Sequence, residues 1–234
     1  MENPLRNSRC RILGLSLVLL IAIILMLFKI IPVLLKPNIL NQVLQSGELV
    51  VLTRNSATTY YNGANGPEGF EYELAKKFAD SLDVTLKVIT TDNLNDIFSM
   101  LNTDKAHFAA AGLTITDERK KHIRFAASYM DVTEQLIYNN QSYRPKSIAD
   151  LKDGTLEVLE GSSHIESLNT LKEKNPQLNW NAQSNTESEQ LLNLVEEQLI
   201  DYTIADSNEV ALNQQFLLEL RVAFDISSPR KLAW

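Results

Sequence analysis

A short segment near the middle of the chain combines residue types that bind anions. In the run TITDER, Thr114 and Thr116 are followed by two acidic residues and then by Arg119. A guanidinium binds a carboxylate through two parallel hydrogen bonds, and threonine is a common cap of helix N-termini. The helix dipole also favours acidic residues in a first turn. The segment therefore predicts either an arginine that binds an anionic ligand or an ordinary capped helix with an exposed arginine.

Two further segments place polar side chains where a predicted strand ends. Ser162 and Ser163 follow the strand pattern TLEVLEG and open a helical pattern, so they could hold an anion or simply cap the helix. Asp206 ends the buried strand pattern DYTIAD. Because α/β proteins bind ligands at the carboxyl ends of strands, we expect Asp206 to face a site, with a turn aspartate as the alternative. Tyr60 and Tyr61 could supply an aromatic wall, and we expect one of them to lie in the core instead.

Other kinds of site lack their sequence patterns. His107, His122 and His164 are scattered, and Cys10 is the only cysteine, so the sequence predicts neither a metal site nor an internal disulfide. The run GSSH differs from the GxSxG pattern of a nucleophile elbow, and the sequence contains no glycine-rich phosphate loop with a lysine. The net charge of -7 argues against nucleic acid. We therefore expect a small-molecule ligand, no cofactor and no nucleic-acid partner.

Strand-like and helix-like patterns alternate along the chain after residue 40. The apolar strand pattern GELVVLTRN is followed by a glycine-rich loop and then by a helical pattern. The apolar face of this helix has Phe70, Leu74, Phe78 and Leu82 at every fourth position, with Ala75 and Ala79 beside them. The patterns VTLKVITT and HFAAAGL predict further strands on either side of another helix. This alternation predicts an α/β fold with a mostly parallel sheet.

A second series of strands and helices begins near Tyr138. The sequence therefore predicts two α/β lobes, at 40–137 and 138–224, that are joined near residues 137–143. Residues 225–234 include the run RKLAW and are expected to start a strand that returns toward the first lobe. Because an apolar strand is an unusual place for an intact chain to stop, we expect a truncated form or a fragment of a longer protein.

Residues 1–36 predict a signal peptide or a membrane anchor. Arg6, Arg9 and Arg11 precede an uncharged apolar run at 12–28, close to the length of about 20 residues that spans a bilayer. The bulky sequence after this run offers no small-residue cleavage site, which favours a retained transmembrane anchor. Because the basic flank stays in the cytoplasm, we expect the rest of the chain to be exported.

Four blocks of sequence, in the same order along the chain, resemble the family 3 extracellular solute-binding proteins of the amino-acid-binding type. They are GPEGFEYELAKKFA (66–79), AAGLTITDER (110–119), LEGSS (159–163) and DYTIADS (201–207). The resemblance implies a two-lobe, type II periplasmic-binding-protein fold with a ligand cleft and hinge strands between the lobes. It also implies that Arg119 binds a ligand carboxylate together with Thr114, and that Asp206 accepts the ligand ammonium.

The resemblance is closer to one branch, the N-terminal modules of the membrane-bound lytic murein transglycosylase F family. It rests on the runs SGELVVLTRNSATTYYN, EYELAKKFADSL, AAAGLTITDERKKHIRF, YRPKSIADL and IDYTIADSNEVAL. It implies a regulatory module that binds an amino-acid-like or muropeptide ligand, with peptidoglycan and a membrane as partners. The expected location is the periplasmic side of the cell envelope. Family likeness suggests the outer membrane, and an uncleaved anchor suggests the inner membrane.

The sequence does not contain the catalytic motif of these lyases. Glu166 and Ser167 form a Glu-Ser pair, but the GLMQ-type segment of that motif is missing, so no catalytic residue is assigned. We therefore expect a binding module of an enzyme family rather than the enzyme itself. Two alternatives stay open. An amino-acid receptor of an ABC transporter would need a cleavable signal or lipid anchor, and a periplasmic dehydratase-type enzyme would need an acid–base pair that could include Glu160 or His164.

Overall fold

A computed structural model describes Met26 and residues 38–234 of the chain. The predicted signal peptide or membrane anchor, at residues 1–36, therefore lies almost entirely outside the described residues. In the part of the chain that is described, no helix has the length and apolar character needed to cross a membrane. The chain divides into two units, Met1–Ser46 and Gly47–Trp234. Helix α1 (Ile39–Ser46) belongs to the first unit, and all elements below belong to the second.

The first lobe of the second unit is built on a small parallel sheet. Its middle strand pairs with one parallel strand on each side: the strands are β1 (Glu48–Arg54) in the middle, flanked by β4 (Thr85–Thr91) and β5 (Phe108–Ala109). The apolar residues of β1 are mostly buried, as expected for a central parallel strand. A hairpin and three helices complete the lobe: β2 (Tyr61–Gly63), β3 (Gly66–Glu68), α2 (Phe70–Ser81), α3 (Leu94–Leu101) and α4 (Asp117–Lys120).

Helix α2 buries the alanines of its predicted apolar face rather than its phenylalanines. Phe70 and Phe78 are 50% and 40% exposed, whereas Ala75, Ala79 and Glu71 are buried. The small alanines allow the helix to lie close to the sheet. The two phenylalanine rings instead join a partly exposed group of aromatic rings that also includes Phe108, Tyr129 and Trp234. A four-residue apolar spacing therefore predicted the helix, but not which stripe of it faces the core.

The second lobe contains a five-stranded mixed sheet with the order β11-β7-β10-β8-β9. Strand β10 is parallel to β8 but antiparallel to β7, so the prediction of a mostly parallel sheet holds for the first lobe and not for the second. The strands are β7 (Glu134–Asn139), β8 (Leu156–Leu159), β9 (Asn181–Gln183), β10 (Tyr202–Asp206) and β11 (Leu220–Asp225). A 3-10 helix (Ile148–Leu151) and helices α5 (Ser163–Lys174), α6 (Ser188–Glu196) and α7 (Ser207–Asn213) cover the sheet.

An antiparallel pair of strands, β6 (Met130–Val132) and β12 (Arg230–Leu232), runs between the two lobes. The sequence predicts the joint near residues 137–143, but β7 already belongs to the second sheet and β6 precedes it. The return strand reaches the first lobe, because the backbone N–H of Ala233 donates to the carbonyl oxygen of Leu113 at 3.1 Å. Local patterns missed the position of the joint because β6 is paired with a strand about one hundred residues further along the chain.

One apolar cluster joins the two lobes. Leu52 and Ile97 of the first lobe pack in the same buried cluster as Leu159 and Leu191 of the second. Leu94, at the start of α3, and Leu159, at the end of β8, also face the space between the lobes. Because burying a leucine or isoleucine side chain contributes roughly 1.5–3 kcal/mol, this cluster stabilises lobes that are packed against each other. The remaining large clusters lie within the second lobe.

Candidate functional site

Helix α4 positions the buried side chain of Arg119 between the two lobes. The Thr116 hydroxyl caps α4 by accepting a hydrogen bond from the Arg119 backbone N–H at 3.2 Å. The arginine is 7% exposed, so the segment is a capped helix whose arginine is buried rather than exposed. Nη1 donates to the carbonyl oxygen of Thr114 at 2.9 Å, and Nη2 donates to that of Gly161, in the second lobe, at 3.0 Å. Burial lowers the pKa of Arg119 to about 10, against the opposing charge of Glu166.

Five of the six predicted site residues line one cavity between the lobes. Arg119 and Thr114 line it from the first lobe, and Ser162, Ser163 and Asp206 line it from the second. The cavity holds about 20 Å³. A single water molecule needs roughly 10–15 Å³, so this cavity has room for about one water molecule and the cleft is closed in this structure.

The sixth predicted residue, Tyr60, lies elsewhere in the first lobe. Its ring packs edge-on against Tyr72, with 5.6 Å between ring centroids, and its hydroxyl lies 3.2 Å from Oδ1 of Asn62. Tyr60 lines a separate small cavity with Val51. The structure therefore does not bring Tyr60 together with the other five residues.

The two serines at the start of α5 have different surroundings. Ser163 donates its hydroxyl to Oε1 of Glu134 at 2.8 Å. Ser162 occupies the N-cap position, where a serine usually bonds to the helix, yet its side chain makes no capping bond. Among the described residues its buried Oγ has no hydrogen-bond partner. Ser162 therefore offers a free hydroxyl at a helix N-terminus, where backbone N–H groups favour an anion.

Asp206 shares its carboxylate between a helix cap and a histidine. It caps α7 through a capping box with Glu209, and its Oδ1 lies 3.3 Å from Nε2 of His164. His164 is 4% exposed. Burial alone would lower the pKa of His164, but the hydrogen bond and charge of Asp206, with the charges of Glu134 and Glu209, outweigh burial and raise it. The scattered histidines of the sequence thus include one that lies beside a predicted ligand residue.

Three buried side chains could be considered as ligands for a metal ion. Glu134, His164 and Asp206 place one ligand atom each within 4.8 Å of one another. The carboxylate of Glu134 already accepts hydrogen bonds from Ser163 and Ser167, and Nη1 of Arg230 lies 3.3 Å from its Oε1. Because this arginine balances the carboxylate, we assign no metal ion to the cluster.

The sequence interpretation overlooked Arg54, which lies at the end of β1 and lines the same cavity. Its Nε donates to the carbonyl oxygen of Ala111 at 3.1 Å, and its Nη1 lies 2.7 Å from Oε2 of Glu187 in the second lobe. Its Nη2 lies 3.6 Å from Oε1 of Glu209. The rule that drew attention to Asp206, a polar residue at the carboxyl end of a buried strand, also applies to Arg54.

Glu187 is the N-cap of α6 and faces both Arg54 and further acidic groups. Burial raises its pKa to about 7 although Arg54 opposes the shift, and the charges of Glu189 and Glu209 raise it further. Glu187 and Glu189 also line an outer cavity of about 550 Å³. Residues of both lobes surround this cavity, including Asn55 and Asn185. The closed inner cleft therefore adjoins a larger polar space.

Comparison with known proteins identifies the family to which this fold belongs. The family model of the bacterial extracellular solute-binding proteins, family 3, matches residues 49–216. The chain belongs to this family. Its two-lobe periplasmic-binding-protein-like fold is likewise shared with solved structures. One of them, the arginine-bound form of truncated ArgBP from T. maritima, has a TM-score of 0.70 and 24% identity, and covers 82% of this chain and 89% of that chain.

A second structure of the same fold is the cysteine-binding protein from Campylobacter jejuni. Its TM-score is 0.73 at 17% identity, and the match covers 84% of this chain and 79% of that chain. Among curated proteins, the membrane-bound lytic murein transglycosylase F of Pseudomonas fluorescens strain Pf0-1 is 46% identical over 200 residues. That of Saccharophagus degradans is 41% identical over 198 residues. Each match covers 85% of this chain but only 41% and 40% of the respective relative. The resemblance to transglycosylase F is confirmed.

Proposed function

We propose that this family 3 solute-binding domain is the ligand-binding regulatory module of a peptidoglycan lytic transglycosylase. Its ligand would be amino-acid-like or a muropeptide, bound between the lobes. The observation that carries the proposal is the shared cavity of Arg119, Thr114, Ser162, Ser163 and Asp206. These residues come from three separate segments of the sequence, and they combine a cation, hydroxyls and an anion of the kind that a zwitterionic ligand requires.

Each end of such a ligand has a chemically suitable partner. The guanidinium of Arg119 would bind the ligand carboxylate through paired hydrogen bonds. The free hydroxyl of Ser162 and the N–H groups that begin α5 would complete this anion site, since first-turn N–H groups have no acceptor within their own helix. Asp206 would accept the ligand ammonium after exchanging its contact with His164. The lobes must part before a ligand enters, because the closed cavity is too small for an amino acid.

The transglycosylase assignment is supported by the curated relatives and extends beyond the chain itself. Relatives that are 41–46% identical over 85% of this chain are named membrane-bound lytic murein transglycosylase F. This chain spans about 41% of their length, so the cleavage of peptidoglycan belongs to the proposal, and no catalytic residue is assigned here. Peptidoglycan and membrane partners and a location on the periplasmic side of the envelope are parts of the same proposal.

Calorimetry with Arg119→Ala tests the assignment. The titrants are free amino acids and peptides derived from muropeptides, added to the full chain. We expect at least one of them to bind the unmodified protein, and Arg119→Ala to abolish that binding. Arg124→Ala is the matched control, because Arg124 is exposed and lies only five residues away. Unchanged affinity of Arg119→Ala would rule out its role as the carboxylate ligand.

A further inference from the structure

Several polar contacts join the two lobes across the closed cleft, which is too small to hold an amino acid. Apart from the contact between Arg119 and Gly161, they join side chains of the first lobe to carboxylates of the second. The pairs are Arg54–Glu187 (2.7 Å), Arg54–Glu209 (3.6 Å), Ser56–Glu189 (2.6 Å) and Thr116–Glu166 (2.9 Å), with the backbone N–H of Ala57 also donating to Glu189 at 3.0 Å. In this structure, therefore, the contacts that hold the lobes together come from the protein itself.

Arg54 is the centre of this set. Its side chain is fixed to the first lobe by the carbonyl oxygen of Ala111, and it extends into the cavity that the predicted ligand residues line. The residue is 5% exposed. A buried guanidinium requires an opposite charge nearby, and Glu187 and Glu209 of the second lobe supply that charge. If the lobes separate, Arg54 loses both carboxylates at once.

The partner on the other lobe is equally well anchored. Glu187 is the N-cap of α6 and forms a capping box with Gln190. The next turn of α6 carries Leu191, which packs in the apolar cluster shared by the two lobes. The ion pair and the apolar contact therefore act on the same helix and favour the same closed arrangement.

We infer that Arg54, Glu187 and Glu209 form an interlobe latch that holds the cleft closed. Arg54 lines the small cavity of the predicted ligand residues, so a ligand would compete with the latch rather than complete it. The latch would then close this domain without help from a ligand. A ligand can bind only after the latch has opened. The apparent affinity is therefore the affinity of the open form multiplied by the fraction of molecules that are open.

The distance between the lobes, measured without any ligand, tests the latch. Spin labels on Lys77→Cys in the first lobe and Glu173→Cys in the second, in full-length Cys10→Ser protein, report this distance by pulsed electron resonance; both positions are exposed. The measurement is made at about pH 8, above the pKa of about 7 of Glu187, so that this carboxyl group is ionised. The labelled protein with an intact latch should show a single short distance.

Two variants open the latch from opposite sides. Arg54→Glu places like charges across the cleft. Glu187→Ser keeps a good helix N-cap for α6 but is too short to reach Arg54, so it removes the latch without removing the cap. We expect each variant to lower the ratio of closed to open molecules by about 100-fold, since breaking a buried ion pair is strongly unfavourable. A longer distance should then dominate.

The charge exchange Arg54→Glu with Glu187→Arg should restore much of the short distance, whereas Arg221→Gln should leave it unchanged. Arg221 serves as the control because, within the described part of the chain, it donates only to carbonyl groups of the second lobe. The latch is excluded if the ligand-free protein is already open, or if both Arg54→Glu and Glu187→Ser keep the short distance. Since no ligand is added, this outcome is independent of the Arg119→Ala titration.

Discussion

Nη2 of Arg119 lies 3.0 Å from the carbonyl oxygen of Gly161, so the arginine expected to bind a ligand already bonds to the opposite lobe. The carbonyl belongs to the turn that precedes Ser162, whose buried hydroxyl has no partner among the described residues. A ligand carboxylate at this position would accept the hydrogen bond that the guanidinium now donates to Gly161. The ligand contact proposed for Arg119 and its contact across the cleft would therefore use the same donor atom, Nη2.

Ser162→Ala should weaken ligand binding without destabilising the protein. The Ser162 hydroxyl makes no capping bond to α5, so its loss leaves the free energy of unfolding within about 0.5 kcal/mol of the original. A lost hydrogen bond to a charged ligand group, in contrast, costs about 1.5–3 kcal/mol, or roughly 10- to 100-fold in Kd. Calorimetry and urea unfolding measure the two effects.

Ser147→Ala is the control for this change. Ser147 caps the 3-10 helix through a complete capping box, so its removal should lower stability by about 1 kcal/mol and leave binding unchanged. The proposed role of the Ser162 hydroxyl is rejected if Ser162→Ala lowers the free energy of unfolding as much as Ser147→Ala does and leaves Kd unchanged.

His164→Gln should change how stability depends on pH. The pKa of His164 in the folded protein is raised above its ordinary value of 6.5, mainly by Asp206 acting against burial. The pairing therefore adds stability that is fully present below the unfolded value and is lost as pH rises through the folded value. Relative to His164→Gln, the original protein should lose Tm as pH rises above the ordinary histidine value of 6.5.

The exposed His122 provides the control substitution. Its side chain is 62% exposed, so His122→Gln should change the free energy of unfolding by less than about 0.5 kcal/mol. Parallel Tm curves for the original protein and His164→Gln would show that the buried histidine does not change its protonation on folding.

Leu191→Ala should destabilise the domain by about 2–5 kcal/mol. Leu191 is 1% exposed and packs in the apolar cluster that joins the lobes, so the change leaves a cavity between them. Leu199→Ala, at a site that is 65% exposed, should change stability by less than about 0.5 kcal/mol. Guanidinium unfolding of the two variants makes the comparison, and equal effects would contradict a shared core.

Gly161→Ala should both strain the backbone and separate the lobes. Gly161 has φ +75°, which costs other residues about 1–2 kcal/mol, and an added Cβ would lie 2.3 Å from Oδ1 of Asn95 in the first lobe. Adding Asn95→Ala should relieve the collision but not the backbone strain. The double variant should therefore recover the closed distance between spin labels while keeping a lowered Tm. If the double variant keeps the longer distance, the contact with Asn95 is not what separates the lobes.

Local sequence patterns predicted a large part of this molecule. The strand at β1, the helices at α2, α3 and α6, and the cap at Thr116 all follow from short-range spacing or residue type. Five candidate residues at strand ends or helix starts share one cavity, because that edge of an α/β lobe faces the cleft.

The remaining features depend on residues that are distant in the chain. Arg54 and Glu187 are 133 positions apart, and neither their pairing nor the burial of Arg54 leaves a local pattern. The mixed order of the second sheet has the same cause, since β10 joins β7 and β8 through long-range pairing. Tyr60 packs against Tyr72 of its own lobe, and the sequence could not show which of Tyr60 and Tyr61 would do so, because both follow the same local pattern.

The ladder between β6 and β12 is made of three residue pairs and lies between the two lobes. Any rotation of one lobe against the other would have to twist this ladder. Leu232, at one end of it, forms a bridge with Thr114, which is a predicted ligand residue. Strand β12 therefore connects the crossing between the lobes directly to the wall of the cleft.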